Sequence, residues 1–393
     1  PHLCGGYIWD FVDQSIRKSF KGEEHWLYGS DFKERYNLMH GLKSPFTTGS
    51  SGYFCINGIV AANRNLHPAA YEVKHCYQVL EVQPIDLQKG QFQVCNKQMF
   101  STLAGYRLSW VEEVDGRKVN GGDVPSELYE ATPPGAMGEF TIDYARDWPA
   151  EALVTITFCW LLREDTPYAK AGYEQASSQI VLQHKKPFIS HGVSTLNPGS
   201  LRVVEKNGTI HVEGEGFSCL FRNGSLAGYA FNGHECLQTP LRPNYYRAET
   251  DNDRGVANFV PVLRAFTTSQ KWKRASCWQR AGRMRVQLGD QWVEIATSWK
   301  HPLLKNADTM FRVWTDGSIE VLHSATSRSL EMMRCGVTFA LQPAYNRVEW
   351  LGRGPHENYP DRKSGAFFSR YHGSVADLAH FYVRPQENGS RCD

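Results

Sequence analysis

The segment Cys4–Gln14 reads CGGYIWDFVDQ, and it constrains the fold more than any other stretch of the 393 residues. Gly5-Gly6 permits close backbone approach. Tyr7-Ile8-Trp9 predicts a short buried strand, with Asp10–Gln14 beyond its carboxyl end. Consecutive apolar side chains point to both faces of a strand, so such a strand needs cover on both sides. That is the situation of a strand in a (β/α)₈ barrel, where the carboxyl ends of the strands carry the chemistry. Only three residues precede the segment, so the strands flanking Trp9 are expected from outside this chain.

The pattern then changes along the chain. Phe54-Cys55-Ile56 predicts a second short strand, ended by Asn57-Gly58. Pro68 opens a helix at its favoured first-turn position. Val73, Cys76, Tyr77 and Leu80 recur at helical spacing and predict an apolar stripe facing a sheet. The polar stretch between Asp31 and Tyr53 reads as a surface insertion. Beyond residue 80 the period becomes two. Gln91–Val94 and Tyr106–Trp110 alternate, and Asp115-Gly116 signals a hairpin. Val154, Ile156, Phe158 and Trp160 share one face, with Thr155 and Thr157 opposite. Short strands between turns predict an immunoglobulin-like sandwich. A linker is expected near His184–Gly199. A second all-β region follows, in which Ile210 and Val212 precede a Gly214–Gly216 turn. There Phe311–Trp314 and Ile319–Leu322 flank an Asp316-Gly317 turn. The predicted fold is mostly β: the end of a barrel (1–80), an immunoglobulin-like sandwich (81–190) and a further all-β domain (195–393).

Composition excludes several classes. Net charge is +2, from 43 basic and 41 acidic residues, which offers no basic face for nucleic acid or anionic membrane. No apolar run approaches the ~20 residues of a membrane-spanning helix. No basic-then-apolar leader opens the chain, and a cytoplasmic location is the expectation. The 10 cysteines are scattered. Cys55, Cys95, Cys159 and Cys219 sit in apolar runs and read as buried reduced thiols rather than a disulfide framework. The sequons at Asn207, Asn223 and Asn388 are all Asn-Gly and read first as turns. There is no GxSxG, HExxH or P-loop, and no GxGxxG after a strand. His2, His25, His40, His67 and His75 lack metal-ligand spacing, and His67-Pro68 reads as a helix start.

CGGYIWDFVDQ, YFCINGIVAANRNLHPAAYEVKHCYQ (Tyr53–Gln78), YYRAETDNDRGV (Tyr245–Val256), WLGRGPHENYPDRKSG (Trp350–Gly365) and YVRPQENGSRC (Tyr382–Cys392) together resemble the later part of the family 2 glycoside hydrolases, the β-galactosidases. They stand in the family's order and at about its spacing, over essentially the whole chain. The resemblance implies a barrel end, an immunoglobulin-like domain and the start of a late β-sandwich, truncated at both ends. It implies that Trp9 lies on the floor of a galactose site. It implies that the Phe54 main-chain carbonyl and the Asn57 side-chain oxygen bind Na⁺, for which hard oxygen donors are suited. The remaining carboxylate ligand of that site lies upstream. Ser50, Ser51 and Gly52 replace the polar residues usual before Phe54. Asp251, Asn252 and Asp253 would lean over the mouth of the site.

A retaining glycosidase needs two carboxylates ~5–5.5 Å apart. In the family these glutamates sit in Asn-Glu-His-type and Glu-Tyr-x-His-type motifs, and neither motif occurs in this sequence. The family's Mg²⁺ ligands near the acid/base are likewise not matched, so Mg²⁺ is expected only in the complete enzyme. Glu357, Asp361 and Glu387 lie among Gly, Pro and Asn and read as turn and structural residues. The expectation is a β-galactosidase portion that is inactive alone and partners with an N-terminal fragment or another chain completing the barrel, in an oligomer or larger assembly. The alternative is a catalytically dead structural or interaction module. A free-standing carbohydrate-binding module is disfavoured, because one Trp makes a poor lectin site.

Overall fold

Four alternating apolar residues anchor the first core. In the computed structural model, which describes residues 5–28, 31, 55–184, 201–254, 261–328, 331–383 and 385–392, Val154, Ile156, Phe158 and Trp160 are all fully buried on the strand Leu153–Leu162. That strand pairs antiparallel with Tyr106–Val114 on one side and Glu174–His184 on the other, and Arg117–Asp123 completes a four-stranded sheet. A three-stranded sheet, Leu80–Asp86, Gln91–Asn96 and Met137–Thr141, supplies Leu80, Val82, Phe92, Val94 and Phe140 to the same core. Two antiparallel sheets closing on alternating apolar faces make the expected sandwich. Its rings pack edge-on: Phe92 on Phe158 at 5.0 Å and Tyr129 on Trp160 at 5.4 Å. The Asp115-Gly116 turn is as expected, with both residues at positive φ between paired Val114 and Arg117.

The outer face of the four-stranded sheet is also covered. The late hairpin Arg347–Gly354 and Phe367–Ser374 lies against it. Gln179 Nε2 donates to the Phe368 carbonyl at 2.8 Å, and the Phe368 N–H returns a bond to Gln179 Oε1 at 2.7 Å. Arg370 Nε donates to the Asp115 carbonyl, and Ser369 Oγ to Glu113. Thr155 is therefore buried at 2% exposure, although the alternation puts it opposite the core. Residues 1–188 and 347–393 form one compact unit, and residues 189–346 form the other.

In the second unit, Arg202–Lys206, Thr209–Gly214, Phe217–Arg222, Ser225–Phe231, Leu237–Asn244 and Gly336–Leu341 pair in that order. Trp292–Lys300, Leu304–Trp314 and Ile319–Ser327 build a second sheet. Ile210, Val212, Phe221, Ile295, Phe311 and Val313 fill the space between. The turns at Gly216 and Gly317 fall as predicted, both at positive φ. The helix Thr268–Trp278 buries Trp272, and the Thr267 side chain caps it by accepting the Gln270 N–H. Asn207 and Asn223 are hairpin-turn residues at positive φ, as expected. Asn388 is not in a hairpin; Gly389 after it donates its N–H to Glu357.

Three local expectations fail. Tyr7-Ile8-Trp9 is not a buried strand: Tyr7, Ile8 and Trp9 are exposed, and the backbone pairing falls further on. Asp10 N–H donates to Asn57 O, Ile59 N–H to Asp10 O, Val60 N–H to Phe11 O, and Asp13 N–H to Val60 O, a short parallel ladder. Burial of a strand on two faces requires neighbours, and among the described residues, 55–60 alone lie alongside. Phe54-Cys55-Ile56 is not a strand among its described residues, because Cys55 and Ile56 precede the ladder in irregular backbone; Phe54 lies outside the described residues. Helix Pro68–Tyr77 forms with Pro first, but Cys76 and Tyr77 face solvent. The packed face is instead that of Tyr71, Glu72 and His75, against residues 356–367. The predicted 31–53 insertion (but for Asp31) and most of the 184–199 linker lie outside the described residues. Among the described residues no two cysteines are joined in a disulfide. Cys95 and Cys219 are buried, Cys55 and Cys159 are half-buried, and burial pushes the Cys159 and Cys219 thiols up to about 12. Among the described residues no helix is long and apolar enough to cross a membrane.

Candidate functional site

The end of the short ladder brings three sequence-singled residues together. Trp9 is 78% exposed, and Asp10 follows it with its N–H on the Asn57 carbonyl at 3.1 Å. The Asn57 side-chain Oδ1 is buried and has no hydrogen-bond partner among the described residues. A buried amide oxygen without a donor is costly unless something electropositive meets it. It therefore has the chemistry of a hard-cation ligand. The Asp10 carboxylate turns back, accepting from the Phe11 N–H and from Gln14 Nε2. Trp9, Tyr7 and Phe11 together present an exposed apolar and aromatic patch.

Beneath this platform runs a buried polar network that the sequence reading did not assemble. Asp13, at 6% exposure, accepts the Gly58 N–H at 2.8 Å on one carboxylate oxygen and meets His67 Nε2 at 2.8 Å on the other. His67 Nδ1 lies 3.0 Å from His380 Nε2. The His380 ring packs edge-on against Tyr382 at 4.5 Å, and the Tyr382 hydroxyl donates to Glu357. Glu357, at 3% exposure, also pairs with Arg362 at 2.6 Å and accepts the Gly389 N–H at 2.6 Å. Burial, and then Glu357 beside it, pushes the Tyr382 phenol above its ordinary range. Burial, with His67 and Arg362 nearby, lowers the His380 pKa. Next to this network His356 stacks on Tyr71 at 4.3 Å, and burial with Arg362 and Arg391 pushes its imidazole down to about 4.

Asp251–Arg254 is a single helical turn in the other unit. Asp253 accepts from the Thr250 N–H at 2.8 Å, the Thr250 hydroxyl at 2.9 Å and Arg247 NH2 at 3.2 Å. Desolvation raises the pKa of its carboxyl, but the bonds from Arg247 and Thr250 outweigh it and hold it below the usual carboxylate range. Asn252 is exposed. Asp253 and Arg247 help to line a cavity of about 330 Å³ with Thr268, Ser269, Glu331 and Met333. Among the described residues no cluster of three or more His, Cys, Asp or Glu forms a metal site.

The only sequence signal for the polar network was the density of His, Asn, Glu and Arg in GPHENYPDR and at His67. Nothing in their spacing connects positions 313 residues apart.

Comparison with known proteins covers the chain in three parts. Residues 1–82 match the model of the glycosyl hydrolases family 2 TIM barrel domain. Residues 92–183 match that of β-galactosidase domain 4, and residues 213–393 that of the β-galactosidase small chain. A β-galactosidase of Priestia megaterium is 33% identical over the whole chain, which covers 36% of that protein. One from Vibrio cholerae is 31% identical and one from Klebsiella pneumoniae 29%; each aligns with all of this chain over 37% of its own length. The chain thus spans little more than a third of the curated relatives it matches.

Proposed function

The chain belongs to the family 2 glycoside hydrolases, as a C-terminal portion of a β-galactosidase, and we propose that it supplies the non-carboxylate part of a galactoside site. On this reading Trp9 offers its indole face to the C–H side of a galactose ring, where no hydroxyl needs a partner. Asn57 Oδ1 offers Na⁺ a hard oxygen ligand beside the Trp9 platform. The observation that carries the reading is Trp9, exposed at the end of a ladder, beside a segment whose buried Asn57 Oδ1 has no hydrogen-bond partner among the described residues. The acid/base and nucleophilic glutamates come from residues N-terminal to this stretch or from a partner chain completing the barrel, as does any Mg²⁺ site. The assembled site hydrolyses terminal β-galactosides with retention, one carboxylate attacking the anomeric carbon and the other protonating the leaving oxygen. Na⁺ supplies fixed positive charge, and this chain's role is to bind, orient and exclude water. The chain alone is inactive.

The test is complementation. The pure chain should give no turnover of a chromogenic β-galactoside, and adding an N-terminal fragment carrying both glutamates should restore it. Trp9→Ala should then raise KM and reduce kcat/KM by about ten- to a hundred-fold, the loss of one sugar-stacking contact. Turnover by the chain alone would refute the assignment of the carboxylates. A folded complex without turnover would favour a structural module.

A further inference from the structure

The geometry points to His380 as a positioning residue for the Trp9–Asn57 platform, acting through His67 and Asp13 without touching substrate or cation. The inference rests on the reading of Trp9 and Asn57 as site residues.

The platform is held by backbone. Asn57 O takes the Asp10 N–H, and Gly58, the next residue, gives its own N–H to Asp13 Oδ1 at 2.8 Å. Gly58 fits only because it lacks a side chain. A Cβ there would stand 2.3 Å from Asp13 N and 2.6 Å from the Val12 carbonyl carbon. The Asp13 carboxylate therefore fixes the peptide that joins Asn57 to the ladder.

Asp13 in turn depends on His67. His67 stands at the N-cap of helix Pro68–Tyr77, yet its side chain makes no cap bond. Its N–H fixes only its own backbone, to Ile59 O at 3.1 Å. The ring is set by its two nitrogens. Asp13 accepts from Gly58 on one oxygen, and its other oxygen takes His67 Nε2–H. That leaves His67 Nδ1 as an acceptor, which among the described residues His380 Nε2–H satisfies at 3.0 Å. The edge-to-face packing of the two rings, 88° at 5.1 Å, suits this donation along one ring's plane. His380 is held from its far side by Tyr382, whose hydroxyl is fixed by the Glu357–Arg362 pair. Burial keeps His380 neutral, which preserves a single ring donor. The closing segment thus sets the tautomer of His67 and, through it, the Asn57–Gly58 peptide.

The test compares His380→Gln with His380→Leu in this chain. Gln keeps an N–H near the Nε2 position, whereas Leu fills similar space with no donor. Amide exchange is measured at Asp13, Gly58, Ile59 and Val60, with Ile156–Phe158 as the reference. A second readout is ²³Na line broadening during NaCl titration, with KCl as control. In His380→Leu the platform amides should exchange about ten-fold faster, as expected for one lost buried hydrogen bond. The reference strand should not change, and the Na⁺ midpoint should rise. In His380→Gln both readouts should stay near wild type. Equal effects of Gln and Leu, or no effect of either on exchange, would overturn the inference, because only a donated hydrogen bond separates the two variants. Wild-type protein that gives the exchange result but no Na⁺-specific broadening would refute the cation reading and leave the positioning role standing.

Discussion

His356 gives the sharpest pH prediction. Its imidazole stacks on Tyr71 with an interplanar angle of 11°, and its Nδ1 is buried without a partner among the described residues. Burial, with Arg362 and Arg391 nearby, moves its pKa from 6.5 down to about 4. The sign follows from linkage. Above 6.5 the ring is neutral folded or unfolded, and the stability it permits is fully present. As pH falls below 6.5 the unfolded chain takes a proton that the folded chain refuses, so stability is lost until pH reaches about 4 and then levels off. At pH 5 the gap of 1.5 units amounts to about 2 kcal/mol. The ring keeps part of its solvent contact, and screening reduces this to about 1 kcal/mol. His356→Phe retains an aromatic face for Tyr71 and removes the titration. The assay is native-state amide exchange at Ser364 and Gly365, whose N–H groups bond to Glu72 at 3.2 and 2.7 Å. From pH 7.5 to 5 the wild-type protection factor should drop about five-fold more than that of His356→Phe, the equivalent of about 1 kcal/mol. His75, in the helix that His356 packs against, titrates in both proteins and cancels in the comparison. Parallel pH profiles would refute the reasoning, since they would mean that His356 does not refuse the proton.

Two further outcomes follow from packing. Phe158→Ala should cost about 3–5 kcal/mol of the first unit's stability, because a fully buried ring that touches Phe92 and Phe140 leaves a cavity; urea titration checks it, and a loss below about 1 kcal/mol would mean the sandwich core collapses around the gap. Glu357→Ala should cost about 3 kcal/mol, the lower end for a broken buried pair, because Arg362 keeps 21% of its side-chain exposure; amide exchange at Gly389 and Cys392 should rise with it, and unchanged exchange would count against Glu357 as the anchor of that segment.

Legibility in the sequence followed the range of the interaction. The Val154–Trp160 face, the Asp115-Gly116 hairpin and the Gly216 and Gly317 turns rest on period-two patterning and local backbone chemistry, and they stand as read. Thr155 lies on the opposite face as read, but the pattern marks one buried face and cannot show that residues 367–374 cover the other. The stripe Val73, Cys76, Tyr77 misled for a related reason. Helix Pro68–Tyr77 packs by aromatic stacking and by Glu72 accepting two backbone N–H groups, contacts that apolar periodicity does not register. Trp9 and Asn57 were singled out through the resemblance, and the fold sets them on adjoining segments. Asp13, His67 and His380 were not, since each is an ordinary polar residue until the fold brings the three together.

The late acidic motif bears on where the chemistry resides. A retaining pair needs one carboxylate free to attack and one able to deliver a proton across a gap of ~5–5.5 Å. Glu357 can do neither: one oxygen is bound by Arg362 and the Tyr382 hydroxyl, the other by the Gly389 N–H, and 3% of the residue meets solvent. The neighbouring Asn358 ties the two motifs together, its N–H on the Ser390 carbonyl and its Oδ1 accepting the Cys392 N–H at 2.8 Å. GPHENYPDR and PQENGSRC are therefore two halves of one clasp, and the buried Glu357 is its charged centre. The clasp carries Tyr382, Tyr382 packs on His380, and His380 reaches the platform through His67. With both of its oxygens bound, Glu357 acts as a structural acid, and through His380 and His67 the clasp supports the platform.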